Sequence, residues 1–306
     1  MVRRIAVLAG LVALAGATGC EVVLSLDRPD GTARCDRSQP FGDGTKVPIA
    51  GDWSVEGARF RDSSRGYLSL CEIVANDLDA TKKNCDLYAA DFDAGFKGLI
   101  EMDISAAGEY DSYPTFNADF TLILWGSGRN SGGVHIFYAR DDNGVFSGTS
   151  ANQLALPPPV GENDPLANTN EPYFTTDDGS TMYFGGDRGD FDWDLYRATG
   201  TPPDYDTVER LANVFSTKNE FAPVVSRDEL ELFFGSNRLV NRDDPDLDLY
   251  RATRTSTDED FGAPVRLDIS HTGETEFPLY ISDDGCDLYY VNRPGDVGSL
   301  MVASRR

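Results

Sequence analysis

The chain has 306 residues, with 51 acidic and 27 basic side chains and a formal net charge of −24 at pH 7. Because so much negative charge repels the phosphates of DNA and RNA, the composition excludes a nucleic-acid partner. Hydrophobic residues make up 40% of the chain, which is enough to bury a sizeable core.

Residues 1–19 have the pattern of a secretion signal. Arg3 and Arg4 precede an apolar run from Ile5 to Ala17 that is too short to span a bilayer. The small residues before Cys20 resemble the lipobox of bacterial lipoproteins, in which this cysteine is lipidated. We therefore predict an exported protein anchored through Cys20 to a membrane, in the periplasm or at the cell surface, with the outer membrane favoured. The alternative is an ordinary signal peptide cleaved near Ala17.

Residues 20–40 are predicted to be a short tether, and residues 41–306 carry a repeat. Each copy has an acidic residue and a proline, an aspartate five positions after the proline, a paired apolar strand, and a third strand. Such a turn followed by aromatic and aliphatic residues is typical of β-hairpins. In the four clear copies the prolines are Pro114, Pro172, Pro223 and Pro278, separated by 58, 51 and 55 residues.

This spacing indicates propeller blades, because helical and leucine-rich repeats are shorter. A degenerate copy between Phe60 and Ala89 raises the number of repeats to five. The last repeat ends near Ala303 and lacks an outer strand, whereas the segment from Phe41 to Gly44 resembles an outer strand without a blade. We therefore predict an all-β, five-bladed β-propeller that is closed by an N-terminal outer strand.

The cysteines support the same closure. Without Cys20, four cysteines remain in an exported chain, which predicts two disulfides. Three connectivities are open. Cys71 and Cys85 flank one hairpin and form the local choice, which leaves Cys35 to pair with Cys286 and to fasten the N-terminal segment to the last blade.

The repeats resemble the TolB-type, WD40-like propeller repeat of bacterial periplasmic and surface proteins. The shared features are the Glu and Pro before the turn, the Ser/Thr-x-Asp turn, the Tyr-Phe or Leu-Phe strand, and sequences such as Asp194-Leu195-Tyr196. The resemblance covers most of the chain after the signal, but the extra domain and sixth blade of TolB are missing. It implies a monomeric scaffold that binds an envelope protein or a glycan.

Carboxylates offer the main route to catalysis, because some five-bladed propellers hydrolyse glycans with acids that project into the channel. The candidates are the glutamates that begin the repeats: Glu56, Glu109, Glu171, Glu220 and Glu276. Four of the repeats also contain an arginine, namely Arg129, Arg188, Arg238 or Arg293. This match in number favours structural ion pairs between blades over catalysis.

The loops before two of the third strands are rich in aspartate, including Asp190, Asp192, Asp244 and Asp246. Calcium prefers such oxygen ligands, but the spacing lacks the pattern of a calcium loop. We therefore predict a non-catalytic binding scaffold without a cofactor. Two alternatives remain open: a glycan hydrolase that uses channel carboxylates, and a structural lipoprotein stabilised by calcium.

Overall fold

The computed structural model describes residues 35–73, 84–130, 133–142, 145–162, 170–187, 193–238, 246–271 and 273–305. These residues form twenty strands in five antiparallel sheets of four strands each, which are the blades of a β-propeller. Residues 1–34 lie outside the described residues. They include the predicted signal, Cys20 and most of the predicted tether. No helix long and apolar enough to cross a membrane occurs in the described part of the chain.

The strands are numbered in chain order. Blade 1 contains β2 (Trp53–Asp62), β3 (Arg65–Glu72), β4 (Cys85–Phe92) and β5 (Phe96–Glu101). Blade 2 contains β6 (Asp111–Phe116), β7 (Leu122–Ser127), β8 (His135–Arg140) and β9 (Asn152–Gln153), with a short 3-10 helix at Gly148–Ser150. Blade 3 contains β10 (Asn170–Thr175), β11 (Thr181–Asp187), β12 (Trp193–Thr201) and β13 (Asp204–Arg210).

Blade 4 contains β14 (Glu220–Val225), β15 (Glu231–Ser236), β16 (Asp248–Thr253) and β17 (Val265–Arg266). Blade 5 contains β18 (Thr275–Ile281), β19 (Asp287–Arg293), β20 (Ser299–Ser304) and β1 (Thr45–Lys46). The predicted five-bladed propeller is therefore confirmed.

The N-terminal segment closes the ring, as predicted. Thr45 pairs with Val302, and Phe41 forms a further bridge with Arg305, so the segment runs along the free edge of β20. Gly44 passes so close to the hydroxyl of Tyr290 that a Cβ atom at this position would clash with it, and a larger residue here would displace the Tyr290 ring. The closure removes a sheet edge on which another chain could otherwise add a strand.

Both predicted disulfides are present. Cys71 and Cys85 are directly opposite each other on β3 and β4, with their Cα atoms 3.9 Å apart. Cys35 and Cys286 join the N-terminal segment to blade 5 across 251 residues of sequence. Residues 35–40 were assigned to the tether from the sequence, yet the structure fixes them to the propeller. In addition to the disulfide, Arg37 bonds to Asp228 and Glu231 of blade 4.

The core consists of apolar layers between neighbouring blades. Leu124 of blade 2, for example, packs with Phe184 and Tyr196 of blade 3, and all three side chains are fully buried. Blade 3 in turn packs through Tyr183 and Leu195 against blade 4. Because each blade buries its faces against its neighbours, the innermost strands are held rigidly around a central channel.

Candidate functional site

The repeat-start glutamates lie at the end of the channel where the innermost strands begin, with one exception. Glu56 is on β2, Glu171 on β10, Glu220 on β14 and Glu276 on β18, and each is at most 4% exposed. Glu109 precedes β6 and is only partly buried. In blade 2 the acid at this position of the inner strand is Asp111. The repeat motif points instead to Glu109, which lies two residues earlier in the sequence.

Glu56 and Glu171 lie close enough to influence each other electrostatically. Arg293 of blade 5 donates to Glu56 of blade 1 at 2.5 Å, and this pair matches the predicted bonding between blades. The hydroxyl of Tyr173 donates to Glu171 at 2.8 Å, and no described cation forms an ion pair with Glu171. Burial raises the pKa of Glu171 to about 8, and the nearby charge of Glu56 adds to this rise. This rise favours the protonated form of Glu171 at neutral pH.

Four aromatic rings, one each from the inner strands of blades 2 to 5, fill the channel next to these acids. Tyr113 and Tyr173 have ring centroids 4.4 Å apart, and the rings of Phe221 and Phe277 are 5.5 Å apart. Tyr113 also contacts both phenylalanines. It adopts a φ of 49° at a bulge of β6, a backbone conformation that is unfavourable for a bulky residue. The rings separate the glutamates from the opposite end of the channel.

The other repeat arginines bind acids within their own blade. Arg238 contacts Glu220 at 3.1 Å, and Arg129 contacts Asp111 at 3.0 Å. The predicted bonding between blades is therefore wrong for these two arginines, since each follows the second strand of the same blade whose inner strand carries the acid. Arg188 lies outside the described residues.

The predicted calcium candidates are largely outside the described part of the chain. Asp190, Asp192 and Asp244 fall there, and Asp246 lies 3.4 Å from the hydroxyl of Thr275. Within the described residues, one group has the side chains and spacing to hold a metal ion: His271, Glu274 and Glu276, whose potential ligand atoms lie within 4.8 Å of one another.

At the opposite end, the channel opens into a cavity of about 230 Å³, which we call the funnel. All five blades contribute to it through the ends of the inner strands and the turns that follow them. The lining residues are Arg59 to Asp62, Thr115 to Ala118, Phe120, Phe174, Thr175, Asp177, Arg227, Tyr280, Ile281 and Asp283. Aromatic rings and charged groups of both signs therefore meet in one concave surface, as in many ligand sites.

The rim of the funnel carries an ion-pair bridge across three blades. Arg227 of blade 4 contacts Asp177 of blade 3 at 2.8 Å and Asp283 of blade 5 at 3.0 Å. The proline-to-aspartate spacing of the repeat predicts that these two aspartates form the turn contacts. In the structure the turn contacts are made by the next residues, Asp178 and Asp284, which bind the amides of Ser180 and Cys286. Asp177 and Asp283 thereby face the funnel.

Arg59 lies at the wall of the funnel and is 7% exposed. It donates to the carbonyl oxygen of Leu279, and its guanidinium lies 5.6 Å from the ring centroid of Tyr280. No described carboxylate forms an ion pair with Arg59. Burial lowers its pKa to about 10, so the group stays charged at neutral pH. A buried cation without a carboxylate partner is costly, which makes it a strong feature of a binding site.

The repeat motif does not point to the funnel residues Arg59, Arg61 and Arg227. They lie outside the repeat motif, and each occurs in a single blade. A departure from the repeat, an arginine beside the turn in one copy alone, is the signal that could have identified them.

The fold is shared with solved structures of low sequence identity. A glycosyl hydrolase from Bacteroides ovatus is 7% identical, with 92% of this chain and 96% of that chain covered and a TM-score of 0.53. An exo-β-1,3-galactanase from Clostridium thermocellum is 14% identical, with 85% and 61% covered and a TM-score of 0.53. At such identity the likeness shows the fold alone.

The solved structures that resemble this chain also include TolB from Acinetobacter baumannii. It is 16% identical, with a TM-score of 0.49 and 88% of this chain covered. The chain spans 55% of the length of that TolB structure. No protein-family model matches the chain, and no curated protein matches it either. The comparisons therefore support a β-propeller fold and do not identify an activity for this chain.

Proposed function

We propose that the protein is an exported, non-catalytic propeller that binds a carboxylate-bearing ligand in the funnel. The main support for this proposal is the environment of Arg59. Its buried guanidinium faces a cavity that all five blades form, and it lacks a carboxylate partner among the described residues. A ligand carboxylate would supply that partner through charge-assisted hydrogen bonds, and Arg61 at the rim would strengthen the attraction.

The aromatic side chains of the funnel define the rest of the ligand. The ring of Phe120 lies under the guanidinium of Arg61, and Tyr280 lies beside Arg59. Flat apolar faces next to a cation suit an acidic sugar or the last residue of a peptide with its free carboxylate. Both classes are available outside the cytoplasm, where the signal-like N-terminus and the two disulfides indicate that the protein functions.

Binding should therefore depend on the ligand carboxylate and on Arg59. We expect free oligogalacturonates or peptides with a free C-terminus to bind, and their methyl-esterified or amidated forms to lose affinity. Arg59→Met should weaken binding by about tenfold or more, equivalent to about 1.4 kcal/mol. Isothermal titration calorimetry with both probe classes measures the change and identifies the ligand class.

Two further variants make this result interpretable. Arg61→Ala changes an exposed residue and should weaken binding without affecting folding. Arg197→Ala removes a partly buried arginine on β12, where it pairs with Glu209 away from the funnel, and should leave affinity unchanged. Equal losses in Arg61→Ala and Arg197→Ala, or no binding of either probe class, would contradict the proposed site.

A second candidate, glycan hydrolysis, is favoured by the contrast between Glu56 and Glu171. The raised pKa of Glu171 favours its protonated form at neutral pH, as a general acid requires, while Glu56 forms an ion pair with Arg293. Both side chains are at most 4% exposed, however, and the described cavities do not include either of them. Release of sugar from neutral oligosaccharides that is lost in Glu171→Gln would establish hydrolysis instead of simple binding.

A further inference from the structure

Three blades place an acid at the same position of the inner strand, and each acid binds the loop that enters its blade. The amide of Ala106 donates to Asp111 at 2.7 Å, that of Ser216 to Glu220 at 2.9 Å, and that of His271 to Glu276 at 3.0 Å. Opposite these acids on the second strand stand Ser127, Ser236 and Asn292. The three sites are therefore structurally equivalent.

In blades 2 and 4, an arginine two residues after the opposite serine neutralises the acid. Arg129 bonds to Oδ1 of Asp111, and Arg238 bonds to Oε1 of Glu220. In both cases this is the oxygen that the loop amide does not bind. The backbone amide and the guanidinium thus divide the two carboxylate oxygens between them.

Blade 5 has Pro294 where the other two blades have arginine. The arginine of this blade, Arg293, is displaced by one residue and bonds to Glu56 of blade 1. As a result the buried Oε2 atom of Glu276 has no hydrogen-bond partner among the described residues, although the side chain is 0% exposed and cannot reach bulk water. Arg266, a nearby cation, is bonded to Asp248 instead. The position filled by a guanidinium in blades 2 and 4 is therefore open to another cation.

Two additional metal-binding groups surround that position. The ring nitrogen Nδ1 of His271 lies 3.3 Å from Oε1 of Glu276, and Glu274 completes a group whose potential ligand atoms lie within 4.8 Å of one another. His271 is exposed and Glu274 partly buried, so both can adjust to an ion that arrives from solvent. Asn292, which donates to Glu274 at 2.7 Å, holds that carboxylate in place.

We propose that His271, Glu274 and Glu276 bind a divalent transition-metal ion in place of the missing arginine. One imidazole and two carboxylates, with room for water as a further ligand, form a donor set that suits Zn²⁺ better than Ca²⁺ or Mg²⁺, which prefer oxygen alone. The ion neutralises the buried carboxylate and ties the loop before β18 to blade 5. This site is separate from the funnel and does not depend on the proposed function.

Titration of the protein, purified without a polyhistidine tag, with Zn²⁺ alone tests the site. We expect one ion per chain and a midpoint of thermal unfolding that rises with Zn²⁺ concentration. His271→Ala should lower the affinity for Zn²⁺ by about tenfold or more, since one of three protein ligands is lost. His135→Ala, which changes the other histidine of the chain, in blade 2, should have no effect.

Pro294→Arg provides an independent test, because it returns the guanidinium found in blades 2 and 4. This variant should lose Zn²⁺ binding and unfold at a higher temperature than the parent protein in metal-free buffer. The proposal is overturned if Zn²⁺ does not bind, if Ca²⁺ binds while Zn²⁺ does not, or if His135→Ala lowers the affinity as much as His271→Ala.

Discussion

Replacing Glu231 by glutamine is expected to lower the free energy of unfolding by about 3–5 kcal/mol, because it leaves the buried Arg305 without its counter-ion. Glu231 is 3% exposed and is contacted by Arg37, Arg251 and Arg305. Burial alone would raise the pKa of Glu231, but the bond from Arg305 and the charges of Arg251 and Arg37 outweigh it and hold the pKa below its ordinary value.

The position of Glu231 explains why its loss should affect the whole propeller. Arg37 belongs to the N-terminal segment, Arg251 to blade 4 and Arg305 to the end of blade 5. Arg305 also lies 4.4 Å above the ring of Phe41, which forms the first bridge of the closing strand. One carboxylate thus joins the three segments that meet where the ring closes.

Urea denaturation at pH 7 measures this loss. The matched control is Glu209→Gln, which breaks the exposed pair with Arg197 and should cost less than about 1 kcal/mol. If the two variants lost the same free energy, the cluster around Glu231 would contribute no more than a surface ion pair. The loss should also become smaller on acidification below the ordinary glutamate pKa of 4.5, because the unfolded chain then binds a proton that the folded chain, with its depressed pKa, does not bind. A loss that stayed constant there would contradict the assignment.

Much of the fold could be predicted from the sequence, because its signals are local and repeated. Proline, turn aspartate and paired aromatic residues recur in each copy, and the missing outer strand of the last copy indicated the closure by the segment at Phe41. The cysteine pattern involves other residues and independently indicated the same closure. The exact position of the closing strand was less predictable, since the regular pairing falls on Thr45 and Lys46, just after the expected segment.

The candidate sites were harder to predict because they arise where blades differ. A shift of one residue separates Asp177 and Asp283, which face the funnel, from the turn aspartates Asp178 and Asp284. A similar shift moves Arg293 away from Glu276. The shift of the aspartates comes from bulges in the inner strands, whose positions depend on packing around the channel. A motif that assumes the same number of residues between its positions in every blade therefore predicts the wrong partners for these charged side chains.

Glu171→Gln is expected to make the protein more stable in alkaline solution and to flatten the dependence of its stability on pH. Glu171 has an ordinary pKa of 4.5, which is raised to about 8 in the fold chiefly by burial. Between these values the folded chain holds a proton that the unfolded chain has released. The free energy of unfolding therefore falls as pH rises through this window, by up to about 1.4 kcal/mol per pH unit for one group.

Glutamine keeps the bond with Tyr173 without carrying a titrating proton, so it should remove the contribution of Glu171 to this slope. Thermal unfolding from pH 4.5 to 9 is the measurement, and the gain over the parent protein should grow towards pH 9. A shallower slope will remain, because burial also raises the pKa of Glu276 to about 8.

Glu56→Gln is the matched control, since it changes the neighbouring glutamate, which Arg293 neutralises. It should destabilise the protein at neutral and alkaline pH by leaving Arg293 without its carboxylate, the opposite sign from Glu171→Gln. Identical slopes in the parent protein and Glu171→Gln would mean that Glu171 is ionised in the fold. A charged Glu171 could not donate the proton that glycan hydrolysis requires, and the binding function would then stand without that rival.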